Sequence, residues 1–305
     1  MKALIVARCK EGRYAPFITE QVDALRERGV DCRYFPIEKN GFWGYLSHLK
    51  GLRRAIRDTE PDLVHAHYGL CGLLANLQRA VPVVTTYHGS DINNPGIRPL
   101  SRFSMLLSAF NIFVSRRMVE LVSPRKDFAL IPCGINLGDY PVMTKEEARR
   151  RRQLAPQAKY VLFAGSFDNA VKNVPLARKA TGLLECATLI ELKGYSRSEV
   201  SELMYAADAL LMTSITEGSP QVIKEALACG CPIVSLDVGD VKESVEGVEG
   251  CYVVERDPVA LAQALQKAFS LHGRTEGRRV IERRGLNNDK IAQRIIEVYR
   301  QVMEG

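Results

Sequence analysis

Residues 209–237, ALLMTSITEGSPQVIKEALACGCPIVSLD, run from an apolar stretch through a polar loop and a helical pattern into a second apolar stretch. The first apolar stretch ends at Thr213, and the loop after it carries Glu217. Pro220 favours the first turn of a helix, because that position needs no backbone N–H donor. The segment therefore predicts a β-α-β unit with parallel strands.

The same alternation extends along the whole chain. Strand-like runs are KALIVA, VDCRYFP, DLVHAHY, VPVVTTYH, NIFVS and FALIPC, and then YVLFAG, TLIELKG, ALLMTS, PIVSLD and CYVVE. Helical patterns lie between them, at 17–28, 70–79, 174–184, 198–206, 221–229 and 258–269, with a last one at 289–303. The two series predict an α/β protein of two Rossmann-like domains that face each other across a cleft, where ligands bind at the carboxyl ends of strands.

The alternation breaks near Pro141, which sets the predicted boundary between the domains. Domain 1–140 precedes domain 141–288, and the helix at 289–305 is expected to pack back on the first domain. Thr144 and Glu147 have the spacing of a capping box, which predicts a helix over 144–152.

Composition narrows the class of protein. The 305 residues are 46% hydrophobic and 25% charged, and no apolar run reaches the roughly 18 residues of a membrane span. Eight scattered cysteines are typical of reduced thiols in a cytoplasmic protein. The net charge of +7 indicates an anionic partner, but no nucleic-acid-binding motif is present, and no G-x-G-x-x-G follows a strand.

The loop of residues 217–220 has the features of an anion site. The predicted helix starts near Pro220, and the backbone N–H groups of Gly218, Ser219 and the residues after Pro220 lie at that start. These groups attract negative charge, and the positive end of the helix dipole adds to the attraction. Glu225 lies one or two turns into that helix, where its carboxylate can accept hydrogen bonds from diol hydroxyls. Either glutamate alone would be read as a solvent-facing charge, but the strand, acidic loop, Gly-Ser-Pro and helix occur together.

The segment EGSPQVIKEALACGCPIV resembles the paired-glutamate signature of retaining glycosyltransferases of family 4, which have the GT-B fold. Further segments match the family in order: HAHYG, TTYHGSDIN, VSRRMVEL, IPCGIN and VLFAGSF…VKN. Each is weak alone, and together they extend over nearly the whole chain. The resemblance implies that Glu217 contacts hydroxyls of the donor sugar and that Glu225 binds the nucleotide ribose.

A second part of the implied donor site is the loop after the strand that ends at Gly165. Lys172 can reach a diphosphate there as a compact point charge. Family members commonly carry Arg directly after the glycine, where this sequence has Ser166. Lys172 and backbone amides suffice, or another cation such as Arg8 or Lys193 replaces the missing arginine; the sequence leaves both open.

The resemblance also assigns residues of the first domain. His88 is placed near the reacting sugar, although a histidine after an apolar strand is more often structural. Ser90 and Asp91 shape the same loop, and Asp91 is expected to accept a hydroxyl of the acceptor. Gly12 lies in the loop after the first strand, where the family has a glycine-rich loop; an ordinary tight turn is an equal alternative.

No metal is expected in the reaction. The family generally needs none, and no Asp-x-Asp pair lies in a strand-end loop. His65 and His67 are expected on opposite faces of their strand, which would prevent a shared metal, and His65 is expected to pack in the core.

Residues 42–57, FWGYLSHLKGLRRAIR, have apolar residues at helical spacing and a basic far side. A basic amphipathic helix suits an anionic membrane surface, although such a stripe more often packs on its own sheet. Contact of a cytoplasmic protein with the inner face of the membrane is therefore an expectation of the sequence.

The combined expectation is a retaining glycosyltransferase of hexosyl type, with a UDP-sugar as first choice of donor and GDP-mannose as second. The acceptor is a glycan or glycolipid, as in the synthesis of cell-surface polysaccharide. The alternatives are a sugar-nucleotide epimerase of the same fold and a sugar-nucleotide-binding protein that has lost activity. Ser166, in place of the family's arginine, favours the second alternative.

Overall fold

A computed structural model describes residues 1–304 of the chain. The chain forms two compact units. One is Met1–Gly134 together with the C-terminal segment that begins at Asn288, and the other is Ile135–Asn287. Each unit is a parallel sheet with helices, so the prediction of two Rossmann-like α/β domains is confirmed. The sequence places the boundary at 140/141, whereas the structure divides the chain after Gly134.

The first unit contains a six-stranded sheet in the order β2-β1-β3-β4-β5-β6, and the strand pairs are parallel. The strands are β1 (Lys2–Arg8), β2 (Asp31–Ile37), β3 (Leu63–His67), β4 (Val83–Tyr87), β5 (Phe110–Phe113) and β6 (Phe128–Leu130). The helices are α1 (Pro16–Glu27), α2 (Gly41–Leu46), α3 (Leu49–Thr59), α4 (Gly69–Asn76), α5 (Ser90–Asn93), α6 (Arg98–Leu107) and α7 (Arg116–Val122).

The second unit contains a five-stranded parallel sheet in the order β11-β10-β9-β7-β8. Its strands are β7 (Lys159–Phe163), β8 (Ala187–Glu191), β9 (Ala209–Met212), β10 (Ile233–Leu236) and β11 (Cys251–Val254). Its helices are α8 (Lys145–Arg151), α9 (Val174–Gly182), α10 (Arg197–Ala206), α11 (Gln221–Ala228), α12 (Val241–Val245), α13 (Pro258–Phe269) and α14 (Gly277–Arg283). The final helix, α15 (Asn288–Glu304), belongs to the first unit.

The central strands β3, β4 and β9 are buried along their whole length, because helices cover both faces of each sheet. Their sequences are accordingly near-continuous apolar runs. In the second unit β10, β9 and β7 are neighbours, so the loops that follow these three strands meet at one edge of the sheet. This topology brings together the predicted donor residues of the second unit.

Helix α15 packs against α1, and its apolar face is buried in the core of the first unit. Tyr299 is fully buried, and its hydroxyl lies 2.6 Å from Nδ1 of His65 on β3. Arg28 pairs with Asp289 at the start of the helix, 2.6 Å apart. The C-terminal helix therefore completes the first unit from the far end of the chain.

The expected amphipathic helix at 42–57 is two helices, α2 and α3, separated at Ser47 and His48. Leu52 and Ile56 of α3 are buried against β1, β2 and β3, so this apolar stripe packs on its own sheet. In α2, by contrast, Trp43 is 77% exposed. The apolar surface that remains free is thus at α2, not along the whole segment.

The predicted capping box at Thr144 forms only in part. The Thr144 hydroxyl accepts the backbone N–H of Glu147, but the Glu147 carboxylate pairs with Arg151. A complete capping box is found instead at Ser196 and Glu199, before α10. Within residues 1–304, no helix has the length and apolar character needed to cross a membrane.

Candidate functional site

The loops after β7 and β9 are held together by an ion pair. Nζ of Lys172 lies 2.6 Å from Oε1 of Glu217, and both side chains are largely buried. The hydroxyl of Thr213 donates to the carbonyl oxygens of Lys172 and Asn173, at 2.9 and 3.0 Å. The structure therefore brings together two of the predicted donor residues, which are 45 residues apart in sequence.

Gly165 allows the Lys172 side chain to cross the end of β7. A Cβ at this position would lie 2.8 Å from Cγ of Lys172, which is too close for two carbon atoms. The side chain can therefore lie over the strand end only because residue 165 is a glycine. Gly165 shapes the site by close approach and contributes no side chain to it.

A third loop, after β10, supports the loop of residues 217–220. The Ser219 hydroxyl donates to Oδ2 of Asp240 at 2.6 Å, and the same carboxylate oxygen lies 3.0 Å from Nζ of Lys224. Lys224 also lies 2.6 Å from the Ser219 hydroxyl. A Cβ at Gly239, which has φ +60°, would lie 2.5 Å from the carbonyl oxygen of Gly218. The two loops are therefore in direct contact.

Lys224 and Asp240 were not among the residues that the sequence singled out. Lys224 is fully buried, and an ammonium group in that position must be paired because an isolated buried charge is very unfavourable. The available signal was a lysine on the apolar face of a helix, directly before Glu225. A lysine at such a position predicts a buried acidic partner, although sequence spacing does not identify which one.

Helix α11 begins directly after Pro220 and has eight residues. Gly218 is buried, and Ser219 is partly exposed, so the segment before the helix is a short, well-supported turn. Glu225 is half-buried on the fifth residue of α11. The positive end of the helix dipole and the Lys172 ammonium belong to the same strand-end edge, an arrangement that can hold a diphosphate.

Ser166 is engaged by its neighbours. Its hydroxyl donates to Asp168, and the other oxygen of that carboxylate lies 2.6 Å from Nζ of Lys193, in the loop after β8. The Lys193 ammonium and the Ser166 bond lower the pKa of Asp168. Both charged side chains are exposed, and exposed pairs of this kind are weak. Asp168 therefore links the Lys193 ammonium to Ser166, the residue directly after Gly165.

In the first unit, three histidines form a stack in which His65 and His67 are fully buried and His88 is partly exposed. The rings of His65 and His67 are 4.5 Å apart, and those of His67 and His88 are 5.2 Å apart. The expectation that His65 and His67 point to opposite faces was wrong, because residues two apart in a strand lie on the same face. His65 does pack in the core as expected, between Tyr299 and the Thr86 hydroxyl.

His67 orients His88. Nδ1 of His67 lies 3.0 Å from Nε2 of His88, and one of the two nitrogens must carry the shared proton. Within the described residues, Nε2 of His67 has no hydrogen-bond partner although it is buried. Burial, with a contribution from His65, lowers the pKa of His88 to about 3. His88 is therefore a neutral ring near pH 7, and Phe17 and Tyr68 hold its plane.

Asp91 accepts backbone N–H groups instead of standing free for a ligand. It bonds Gly69 at 3.0 Å, Gly89 at 2.9 Å and His88 at 3.2 Å. Burial raises its pKa to about 6, against the effect of these bonds. The carboxylate therefore fixes the loop between β4 and α5. Ser90, the first residue of α5, is exposed.

Gly12 lies in a two-residue hairpin turn. Lys10 and Arg13 exchange two backbone hydrogen bonds of 2.9 Å. The two residues between them, Glu11 and Gly12, have φ of +53° and +75°. These values are those of a type I′ turn. The loop after β1 is thus a tight turn of the kind that the sequence left open as an alternative.

Two glycosyltransferase family models match the chain, one in each unit. Glycosyltransferase Family 4 matches residues 11–139, and Glycosyl transferases group 1 matches residues 146–270. Among curated relatives, a putative teichuronic acid biosynthesis glycosyltransferase, TuaC, from Bacillus subtilis is 25% identical over 69% of this chain and 62% of its own length. D-inositol 3-phosphate glycosyltransferase from Actinosynnema mirum is 26% identical over 95% of this chain and 85% of its own.

Solved structures share the fold of the whole chain. Sucrose-phosphate synthase from Thermosynechococcus elongatus has a TM-score of 0.84 at 17% identity, with 99% of each chain covered. HepE from Anabaena, in complex with UDP-glucose, has a TM-score of 0.72 at 17% identity, with 99% of this chain and 100% of that one covered. These neighbours establish the GT-B architecture.

Lys224→Met is expected to destabilise the second unit by about 3–5 kcal/mol, because it leaves the Asp240 carboxylate buried without its cation. The double variant Lys224→Met/Asp240→Asn removes both charges and should recover much of that loss. Urea unfolding followed by circular dichroism measures both free energies. Arg279→Gln, which breaks an exposed pair with Glu276, is the control and should change stability by less than about 0.5 kcal/mol. If the free energy of unfolding of Lys224→Met lies within about 1 kcal/mol of the wild-type value, the substitution acts like one at the surface, and the pairing is refuted.

Proposed function

Because the chain is a glycosyltransferase of the GT-B type, we propose that it transfers a hexosyl group from a UDP-sugar to a glycan or glycolipid acceptor, with retention of anomeric configuration. The observation that carries the donor part is the Lys172–Glu217 ion pair at the strand-end edge where α11 begins. The family matches favour a transferase over the epimerase and the inactive binding protein.

The choice of a uridine nucleotide rests on a structural neighbour. HepE binds UDP and UDP-glucose, and its chain superposes on nearly all of this one. The relative from Actinosynnema mirum is named for an anion, D-inositol 3-phosphate. An acceptor with negative charge also agrees with the net charge of +7.

In the proposed reaction an acceptor hydroxyl attacks the anomeric carbon from the side of the leaving group. The bond from that carbon to the donor phosphate oxygen breaks, a new glycosidic bond forms, and a phosphate oxygen takes the hydroxyl proton. Lys172 and the amides before α11 stabilise the charge of the departing diphosphate. Glu217 orients the sugar, Glu225 binds the ribose diol, and His88, as a neutral ring, contacts the sugar. No protein side chain is required as base.

Because Lys172 is paired with Glu217, binding of the donor requires the Lys172 ammonium to exchange the Glu217 carboxylate for the diphosphate. The Lys172 ammonium is neutralised by Glu217. A diphosphate offers the ammonium a stronger partner and leaves the Glu217 carboxylate to accept hydroxyls of the sugar. The same two residues therefore satisfy each other in the empty site and divide between diphosphate and sugar in the occupied one.

Lys193 is proposed as the second cation of the diphosphate site. It lies in the loop after β8, next to β7, and Asp168 links it to Ser166. Because the Lys193–Asp168 pair is exposed and weak, the ammonium can turn to an anion at little cost. Of the two substitutes that the sequence left open, the contacts of the second unit favour Lys193.

Two further proposals concern cofactor and location. We propose that no resident metal takes part, and loss of transfer after treatment with EDTA would oppose this. A cytoplasmic location with contact to an anionic membrane is proposed through the exposed aromatic residues of α2 and the basic residues of α3. Equal cosedimentation with neutral and anionic vesicles would oppose the second proposal.

Glu225→Gln is expected to weaken UDP binding by about tenfold or more, because charged hydrogen bonds to the ribose are lost. Glu217→Gln is expected to strengthen UDP binding by about threefold to tenfold, since Lys172 no longer gives up a partner, while turnover falls. Isothermal titration with UDP and a transfer assay measure the two effects. Glu249→Gln, an exposed glutamate of the second unit, is the control. Unchanged UDP affinity in Glu225→Gln, or weaker affinity in Glu217→Gln, would contradict the assignment.

Lys193→Gln is expected to lower turnover by about tenfold, the loss of one cation that acts on the leaving group. Adding Ser166→Arg should restore most of that turnover by returning the charge to its place in the family pattern. The control is Lys242→Gln, an exposed lysine on α12. Full turnover in Lys193→Gln would exclude this lysine as the second cation.

A further inference from the structure

A cleft of about 600 Å³ opens in the first unit beside the loop after β1. Its lining includes three cationic side chains, Arg8, Lys10 and Arg13. Within residues 1–304, none of the three takes part in an ion pair. Arg8 is instead hydrogen-bonded to the carbonyl oxygen of Lys39 at 2.6 Å and to the side chain of Asn40. The cleft therefore presents three cationic groups that are not held in ion pairs within the described part of the chain.

Two carboxylates also line the cleft, Glu11 and Asp91. The Asp91 carboxylate is held by three backbone N–H groups, which fix its position but leave its negative charge in the cleft. Glu11 is exposed at the tip of the hairpin turn. Three cations against two carboxylates still leave net positive charge in the lining, which favours an anionic ligand. Tyr14, Tyr45 and Tyr68 add hydroxyl groups and ring surface suited to a sugar or phosphate head group.

An apolar groove of about 270 Å³ adjoins this cleft, and the two share Tyr45 and Leu70. The Tyr45 hydroxyl is the one polar side-chain group among the residues of the groove. The lining residues are Phe42, Tyr45, Leu46, Leu70, Leu73, Leu74, Leu77, Leu100 and Phe103, from α2, α4 and α6. A polar, cationic space thus passes directly into an apolar one within a single unit.

The mouth of the groove has exposed aromatic side chains. Phe42 is 46% exposed and Phe103 is 53% exposed, on either side of the groove, and Trp43 packs edge-on against Phe42. Arg53 of α3 is exposed and bonds the carbonyl oxygen of Leu77, at the groove wall. Large apolar side chains left in water beside cations are typical of a surface that meets a lipid.

We propose that the acceptor is a lipid with an anionic head group, whose head lies in the cleft of Arg8, Lys10 and Arg13 and whose hydrocarbon chain lies in the groove between α2, α4 and α6. This inference rests on the proposed function and specifies its acceptor. A water-soluble anionic sugar would use the cleft alone and would leave the groove without a role. The continuity of charge and apolar surface at Tyr45 and Leu70 selects the amphiphile.

Trp43 is the single tryptophan of the chain and packs against Phe42 of the groove lining, so its fluorescence is expected to respond when a ligand occupies the groove. The full chain is titrated with hexyl, octyl and decyl phosphate below their micellar concentrations, and with inorganic phosphate and decyl maltoside as the two partial ligands. Alkyl phosphates should shift Trp43 emission to the blue. Each added methylene should tighten binding about three- to fourfold until the groove is full.

Matched variants separate the two parts of the site. Phe103→Ser should weaken decyl phosphate binding about tenfold by calorimetry, whereas Leu106→Ser, an exposed residue of α6 outside the groove, should not. Lys10→Gln/Arg13→Gln should weaken binding of all the phosphates, whereas Arg279→Gln in the second unit should not.

The proposal is overturned if inorganic phosphate binds as tightly as decyl phosphate, if affinity does not rise with chain length, or if decyl maltoside binds as well as decyl phosphate. UDP binding is measured on the same samples. Retained UDP binding with any of these results rejects the lipid acceptor alone, while absence of UDP binding rejects the proposed donor site and leaves the lipid result to be judged by its own titration.

Discussion

The ion pair between Lys172 and Glu217 depends on one constraint of the fold, that neighbouring parallel strands end at the same edge of a sheet. Because β7 lies beside β9, the loops that follow them touch, and residues far apart in sequence form a contact of 2.6 Å. The loop after β10 extends this edge through the buried pair of Lys224 and Asp240. The proposed donor site is thus a set of three loops linked to one another by ion pairs.

In the first unit, the predicted site residue His88 is positioned by packing against other rings, and no ion pair among residues 1–304 is involved. His65, His67 and His88 are stacked and desolvated, and burial lowers the pKa of each ring far enough to keep it neutral near pH 7. A neutral His88 neither repels nor pairs strongly with charged groups, and His67 fixes its orientation by a single shared proton. Helix α15 stabilises this stack from outside the sheet through Tyr299. The C-terminal helix therefore has a structural connection to a predicted site residue.

Much of the fold could be predicted from the sequence, because most of the eleven strands are largely apolar runs bounded by turn residues. The segment 42–57 was harder, since helical spacing continues across the break between α2 and α3. Helices α5, α6, α12 and α14 were missed. Three of them, α5, α12 and α14, have only four, five and seven residues, too few to show a helical period. In the donor site, a family pattern suggested Lys172 and Glu217. Their pairing, and the role of Lys224, depend on which strands are neighbours, which periodicity does not determine.

The central claim is that Lys172 changes partners when the donor binds, and a crystal structure with UDP bound tests it most directly. The account predicts a diphosphate oxygen within hydrogen-bond distance of Nζ of Lys172, the ribose diol on the Glu225 carboxylate, and the Lys172–Glu217 pair opened from 2.6 Å. UDP bound at another edge of the sheet, or bound beside an intact ion pair, would contradict it.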